Sequence, residues 1–374
     1  MDGDVWAPFY ELPFARSGKE LAWDGLSKYD LTKYNDWYWD RLRQFTGLAD
    51  QKGLLLIQQH YFQHNIIEAG AHYADFPWRP ANNINNTGFP EPPNYAGDKR
   101  IFMAEQFYDT THPVRRELHR KYIYQCLDNF AGNNGVIHMI GEEYTGPLHF
   151  VQFWLNTIRQ WQNEKEKDPL IALSVTKDVQ DAILADPAFA SLVDIIDIKY
   201  WHYQADGSVY APKGGQNLAP RQHARLLKPR SSSAKQVYRA VAEYKSLYPG
   251  KAILYSADGW DRFSWAAMMA GASLPDLKIK DPDLLKALAM MKPVFNAKDN
   301  QWILYSEKAG YIVGTAEADK LVIDLSKESA SFIINWFEAP GGEMQTVKKE
   351  IGGGKIISLE KPGKENWILW LRKK

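Results

Sequence analysis

One cysteine in 374 residues, Cys126, rules out an intramolecular disulfide framework and any multi-cysteine zinc site. It sits in the helical pattern KYIYQCLDNF and reads as a small buried apolar residue. Net charge is also missing, since 45 basic side chains face 45 acidic ones. A neutral balance argues against nucleic acid or an anionic membrane as the main partner, because both reward a basic surface. No apolar run approaches the roughly 18 residues of a membrane span, and mean hydropathy is −0.44. The dinucleotide fingerprint G-x-G-x-x-G, the P-loop, H-E-x-x-H and the G-x-S-x-G elbow are all absent. GGGK at 352–355 lacks the phosphate-loop spacing and reads as a turn. The first residues, MDGDVWAPFYELPF, have neither a basic n-region nor an apolar h-region and do not read as a signal peptide. Histidine is missing from the last 151 residues; all nine lie between His60 and His223.

Aromatic residues, by contrast, are plentiful at 13%, with 14 Trp and 20 Tyr. Most serve as core, but a subset would suit sugar stacking. Residues 1–35 show no clear strand, and apolar positions 38, 42, 45 and 49 predict one buried face of a helix over 36–51. Then short apolar runs alternate with helical patterns: GLLLIQQHY, a helix from Pro113 to Phe130, GVIHMIGEEY, a helix over 148–163, LIALSVT, DVQDAILADPAF, DIIDIKYWHY, AKQVYRAVAEYKSLY and KAILYSAD. A possible sixth strand falls around Ala267–Leu274. This alternation predicts an α/β fold with a parallel sheet covered by helices. Polar residues cluster at the ends of the strands, where a (β/α) barrel gathers its active site. From about Pro293 seven short alternating strands split by turn residues predict a β-sandwich. The expected division is a barrel-type domain over 1–290 and an accessory sandwich over 291–374.

Four groups at strand ends carry chemistry. Glu142 and Glu143 end the strand GVIHMIGEEY, where neighbours point to opposite sides and one of them can face a pocket. A carboxyl desolvated by aromatic neighbours holds its proton near neutral pH and serves as a general acid; a solvated or helix-capping pair is the plainer alternative. Asp258 and Asp261 in SADGWDRFSW are candidates for the second carboxylate of a glycosidase-type pair, with Asp258 preferred because it comes straight off the strand. Gln58, His60, His64 and Asn65 form a polar cluster suited to sugar hydroxyls, and a metal hydrolase built on His60 and His64 is a third, less favoured reading. Tyr200, Trp201 and His202 end another strand, with Trp201 as a stacking platform or a core residue. Trp78 and Arg79 lie in a long loop from His64 to about Arg100 that is placed to reach over a pocket. Asn85-Asn86-Thr87 fits the glycosylation triplet, a common and weak pattern. No cofactor or metal is expected.

The pair IGEEYTG and, about 115 residues later, KAILYSADGWD resembles the fourth and seventh strands of (β/α)8 glycoside hydrolases of the clan A type. The tail INWFEAPGGEM with NWILWL resembles the small β-sandwich often labelled collagen-binding, which follows the barrel in apiosidase-like bacterial glycosidases. The resemblance implies a TIM-type barrel and a carbohydrate substrate. It places Glu143 at the acid/base position and Glu142 where the family has Asn. The family's nucleophile Glu would fall at Ala257; here Asp258 follows one residue later. On this numbering GLLLIQQH is strand three, so strands one and two are absent, and the open barrel edge would invite strand pairing. Related full-length proteins are exported, which implies an extracytoplasmic protein. A non-catalytic carbohydrate-binding protein is the runner-up.

Overall fold

The computed structural model describes residues 12–61, 76–91, 104–141, 144–211, 230–295, 301–339, 344–363 and 366–374. In chain order the elements are strands β1 (Phe14–Leu21) and β2 (Ser27–Tyr34), helix α1 (Asp36–Gln51), β3 (Leu56–Gln59), α2 (Pro113–Phe130), β4 (Val136–Met139), α3 (Leu148–Lys165), β5 (Leu170–Leu173), α4 (Lys177–Ala185), the short α5 (Pro187–Ala190), β6 (Ile195–Ile198), β7 (His202–Tyr203) and β8 (Val209–Tyr210). There follow α6 (Ala234–Leu247), β9 (Ala252–Tyr255), α7 (Ser264–Met269), α8 (Pro282–Met290), β10 (Lys292–Pro293), β11 (Gln301–Ser306), β12 (Gly310–Thr315), β13 (Lys320–Asp324), β14 (Ser331–Glu338), β15 (Met344–Gly352), β16 (Ile356–Glu360) and β17 (Trp367–Lys373). The described residues fall into two compact units, one running to Ile195 with Ala211, the other Ile196–Tyr210 with Arg230 onward.

The first unit opens on an antiparallel hairpin of β1 and β2, which corrects the expectation of no strand in residues 1–35. The pairing carries two register shifts, and Asp30 inside β2 is buried, so neither strand shows clean alternation. Asp30 takes hydrogen bonds from Thr32 Oγ1 at 2.6 Å and Asn85 Nδ2 at 3.4 Å, which satisfy the buried carboxylate and hold its pKa below the usual range. Helix α1 has the expected bounds and is capped by the Asn35 side chain, which accepts from Tyr38 N. Its buried face is Trp39, Thr46 and Ala49; Phe45, expected inside, is 60% exposed. Trp39 Nε1 donates to Pro13 O and draws that side of the helix inward, while Leu42 is half-buried and Ala49 buried as the stripe predicts.

Strands β3, β4 and β5 form a parallel array, Leu56 opposite Val136 and Ile137 opposite Leu170. Helices α1, α2 and α3 pack in sequence beside one another. Their apolar sides and residues 76–91 enclose an aromatic core in which Trp78 stacks on His119 with ring centroids 4.6 Å apart. The buried Arg115 pins residues 87–88, its Nε donating to Thr87 O at 2.9 Å and Nη2 to Gly88 O at 2.6 Å, while its guanidinium lies 4.5 Å from the Phe89 ring.

In the second unit β6 lies beside β9, and α6 packs on β7, β9 and α7. The expected sixth strand, Ala267–Leu274, is not formed: its first residues belong to the helix Ser264–Met269, and Ser273 reaches β9 through one hydrogen bond to Ile253 O. The alanines and methionines of WAAMMA favour helix over strand. The C-terminal part has a six-stranded antiparallel sheet, ordered β10-β11-β12-β17-β14-β15, and a two-stranded sheet of β13 and β16. Both sheets contribute to one apolar cluster that includes Leu321, Ile323, Phe332, Ile357 and Leu369. The opposite face of the larger sheet buries Ile312, Phe337 and Trp370 against α7 and α8. The fold is thus mixed α/β with a parallel sheet and a C-terminal antiparallel sheet; the described strands form no closed barrel.

Candidate functional site

Parallel strands end at a common edge, so β3, β4 and β5 bring their C-terminal residues together. Pairing continues past the strands themselves: His60 N donates to Met139 O and Tyr61 N to Ile140 O. Gly141 then passes so near β3 that a Cβ there would lie 2.7 Å from Tyr61 O. Only glycine accommodates that approach, which gives the Gly of IGEEY a packing reason. Tyr144 is fully buried and bridges to Val175 beyond β5. Glu142 and Glu143 lie outside the described residues; the residues on either side of them, Gly141 and Tyr144, stand at this edge.

Just inside the edge is a buried imidazole chain. Trp154 Nε1 donates to His60 Nδ1 at 3.1 Å. Indole is a donor only, so the neutral His60 carries its proton on Nε2. That proton points at His138 Nδ1, 3.1 Å away. Gln58 Oε1 lies 3.1 Å from the same Nδ1. A parallel chain runs from Tyr61 OH through His119 to Phe107 O, at 3.0 and 2.9 Å. Burial pushes His60 well below the usual imidazole range, His138 down to about 4 and His119 down to about 3. These three imidazoles are neutral at pH 7 and hold the edge together. His60 is enclosed with both ring nitrogens engaged; its sequence partners His64 and Asn65 lie outside the described residues. Among the described residues no group of three or more His, Cys, Asp or Glu is arranged to hold a metal ion.

The second unit gathers the other expected residues. Asp258 follows β9 with its carboxylate 36% exposed. Its Oδ2 accepts from Ser232 N at 2.8 Å and from Arg262 Nη2 at 3.1 Å, and its backbone oxygen accepts from Tyr255 OH at 2.9 Å. Asp261 is exposed and accepts from Arg262 N at 2.9 Å. One arginine thus faces both aspartates. Trp201 is fully buried, its ring packed 5.7 Å from both Tyr203 and Tyr244, and Trp78 is equally enclosed, so neither offers a face to solvent. His202 is buried and its Nε2 meets Arg230 O at 3.0 Å; Tyr200 is half-buried beside it.

Sequence reasoning missed Arg262, Ser232 and Asp197. The D-x-x-x-R spacing of Asp258 and Arg262 was visible and signals an i, i+4 pair. Asp197 interrupts the apolar run of β6, where a carboxylate is out of place without a partner; it is buried and accepts from Ser256 Oγ at 3.0 Å. Ser232 carries no local signal.

The chain belongs to the family described as Domain of unknown function (DUF6298), whose profile matches residues 1–291. No curated protein matches it. Among solved structures it is similar to a glycoside hydrolase family 5 protein from Bacteroides vulgatus ATCC 8482, at 12% identity over 88% of this chain and 85% of that one, with a TM-score of 0.46. A second is described as a glycoside hydrolase, at 11% identity over 89% of each chain and a TM-score of 0.44. A third is the family 30 subfamily 8 xylanase Xyn30A from Clostridium acetobutylicum, at 9% identity over 90% and 86%, TM-score 0.41. Superpositions this loose carry no argument about shared chemistry.

Proposed function

We propose that the chain is a glycoside hydrolase that cleaves an oligo- or polysaccharide by two-carboxylate acid/base catalysis. One observation carries the reading. The parallel strands β3, β4 and β5 bring Gly141 and Tyr144, which bracket Glu142-Glu143, to their shared C-terminal edge. In (β/α) barrel enzymes that edge is where catalytic residues gather. Glu143 is the general acid that protonates the glycosidic oxygen. Asp258 is the second carboxylate, acting as nucleophile or base. Glu142 and Asp261, which neighbour those two in sequence, and Gln58 and Tyr200 at other strand ends position the sugar. The fold is of the clan A barrel type with an apiosidase-like C-terminal sandwich, and the protein works outside the cytoplasm.

A second reading is favoured by the state of Asp258. Its Oδ2 is already held by a guanidinium and a backbone N–H, an arrangement that stabilises the anion and blunts it as a nucleophile. On that reading the protein binds glycans without turning them over. Release of reducing ends from defined glycans by the intact chain separates the two. Replacing Glu143 by Gln lowers the rate by about 10²–10⁴-fold if Glu143 is the acid; release that is equal in both forms refutes the assignment, and binding without any release supports the second reading.

A further inference from the structure

An ammonium group loses free energy when it is taken out of water, and loses more beside a second cation. Lys245, in the last turn of α6, meets both conditions. It is half-buried, and its stem passes so close to Gly271 that a Cβ there would lie 3.0 Å from Lys245 Cγ and 3.0 Å from Pro293 Cγ. Burial first, and the charge of Lys292 second, hold the Lys245 amine below the usual lysine range. Its Nζ donates to Lys251 O at 2.8 Å, which uses one of its three hydrogens. Among the described residues neither Lys245 nor Lys292 has a carboxylate partner.

Both lysines line one pocket of the second unit, with a volume of about 420 Å³, the size of an ordinary small-molecule site. No acidic residue lines it, and none of the catalytic candidates does. Its floor is apolar and buried: Leu288 and Met291 at the end of α8, and Leu304 of β11, which stands opposite Pro293 of β10. Met268 and Pro293 are half-buried and Phe295 is 39% exposed, so their apolar surfaces remain open to a ligand. Ser273 adds a hydroxyl. The backbone N–H groups of Gly271, Ala272 and Ser273 are spent on Met268 O, Ala267 O and Ile253 O, so the donors at this pocket come from side chains. We propose that the pocket binds a small organic carboxylate, its anionic head between Lys245 and Lys292 and its apolar body against Met268, Pro293 and Phe295. Two ammonium groups and a hydroxyl match the two oxygens of a carboxylate. A phosphate would bring three strong acceptor oxygens and a second charge, which calls for more donors than these. A neutral ligand would leave the repulsion between the lysines in place. The site is independent of the hydrolytic reading.

Calorimetric titration of the full chain with hexanoate, octanoate and phenylbutyrate tests the proposal, with the corresponding amides, octyl phosphate and inorganic phosphate as comparisons. The expected result is saturable binding of at least one carboxylate, at least about tenfold tighter than its own amide. Lys292→Gln, at an exposed position where the fold tolerates it, weakens that binding at least about tenfold, and Lys245→Met, which keeps the apolar stem, does the same. Lys235→Gln, an exposed lysine of α6 that does not line this pocket, leaves the affinity unchanged. Four results would each overturn the proposal. They are no saturable binding of any carboxylate, amides that bind as tightly as the acids, affinity indifferent to both Lys245→Met and Lys292→Gln, and binding of either phosphate in preference to every carboxylate.

Discussion

Trp154, His60 and His138 form a chain in which each member fixes the proton of the next. The indole can only donate, so it dictates one tautomer of His60, and His60 in turn makes His138 Nδ1 an acceptor. Replacing Trp154 by Phe leaves His60 Nδ1 buried without a donor. The expected cost is about 1–3 kcal/mol beyond the lost packing, read as a fall in the urea midpoint that exceeds that of Trp161→Phe, whose Nε1 donates to Asp128 near the surface. Equal losses would mean that the chain contributes nothing special. The same burial sets a pH dependence. Folded pKa values of His60, His138 and His119 lie below the unfolded value, so the unfolded chain binds protons that the folded one refuses. Stability is full above about pH 6.5 and falls as pH drops from there toward 4, by about 1.4 kcal/mol per pH unit for each imidazole. Urea unfolding between pH 7.5 and 4.5 measures the slope. His138→Gln removes about a third of it, and a flat wild-type profile over that window contradicts the assignment.

Among the elements, close backbone approaches decide more than propensity does. Gly310 begins β12 with φ +89°, and a Cβ there would lie 2.1 Å from Leu371 O of β17. Gly310→Ala is expected to destabilise the antiparallel sheet by about 2–4 kcal/mol, measured as a lower thermal midpoint, whereas Gly352→Ala, with open space around it, costs less than about 1 kcal/mol and barely moves the midpoint. Comparable shifts would refute the steric account. The same distinction explains what was legible beforehand. Helix α1 announced itself by its apolar period and α2 by Pro113 at its first turn; the Asn35 cap of α1 emerged only in the structure. The parallel strands showed as apolar runs because both faces of such strands are usually covered. The β1–β2 hairpin did not show, because its bulged register and buried Asp30 break the alternation that marks a strand. Nor does a sequence tell which way a strand-end side chain turns. Trp201 and Trp78 sit where a stacking residue could, yet packing against Tyr244 and His119 encloses them.

At the scale of the whole chain, two carboxylates were legible as a pair because each follows an apolar strand of the α/β alternation, in IGEEY and YSAD. What surrounds Asp258 was not legible. Ser232 lies 26 residues away in sequence, and only the fold brings its N–H to the carboxylate. The C-terminal strands were readable as a set, since alternation and turn residues mark each one, whereas the order β12-β17-β14 depends on long-range pairing that local pattern does not encode. The account's central claim is that the edge bracketed by Gly141 and Tyr144 is a hydrolytic centre with Glu143 as its acid. The most direct measurement is the rate of reducing-end release by wild type and Glu143→Gln on a glycan that the intact chain cleaves. The account predicts a loss of about 10²–10⁴-fold, with the fold and thermal midpoint unchanged. Wild-type rates in the glutamine variant would contradict it.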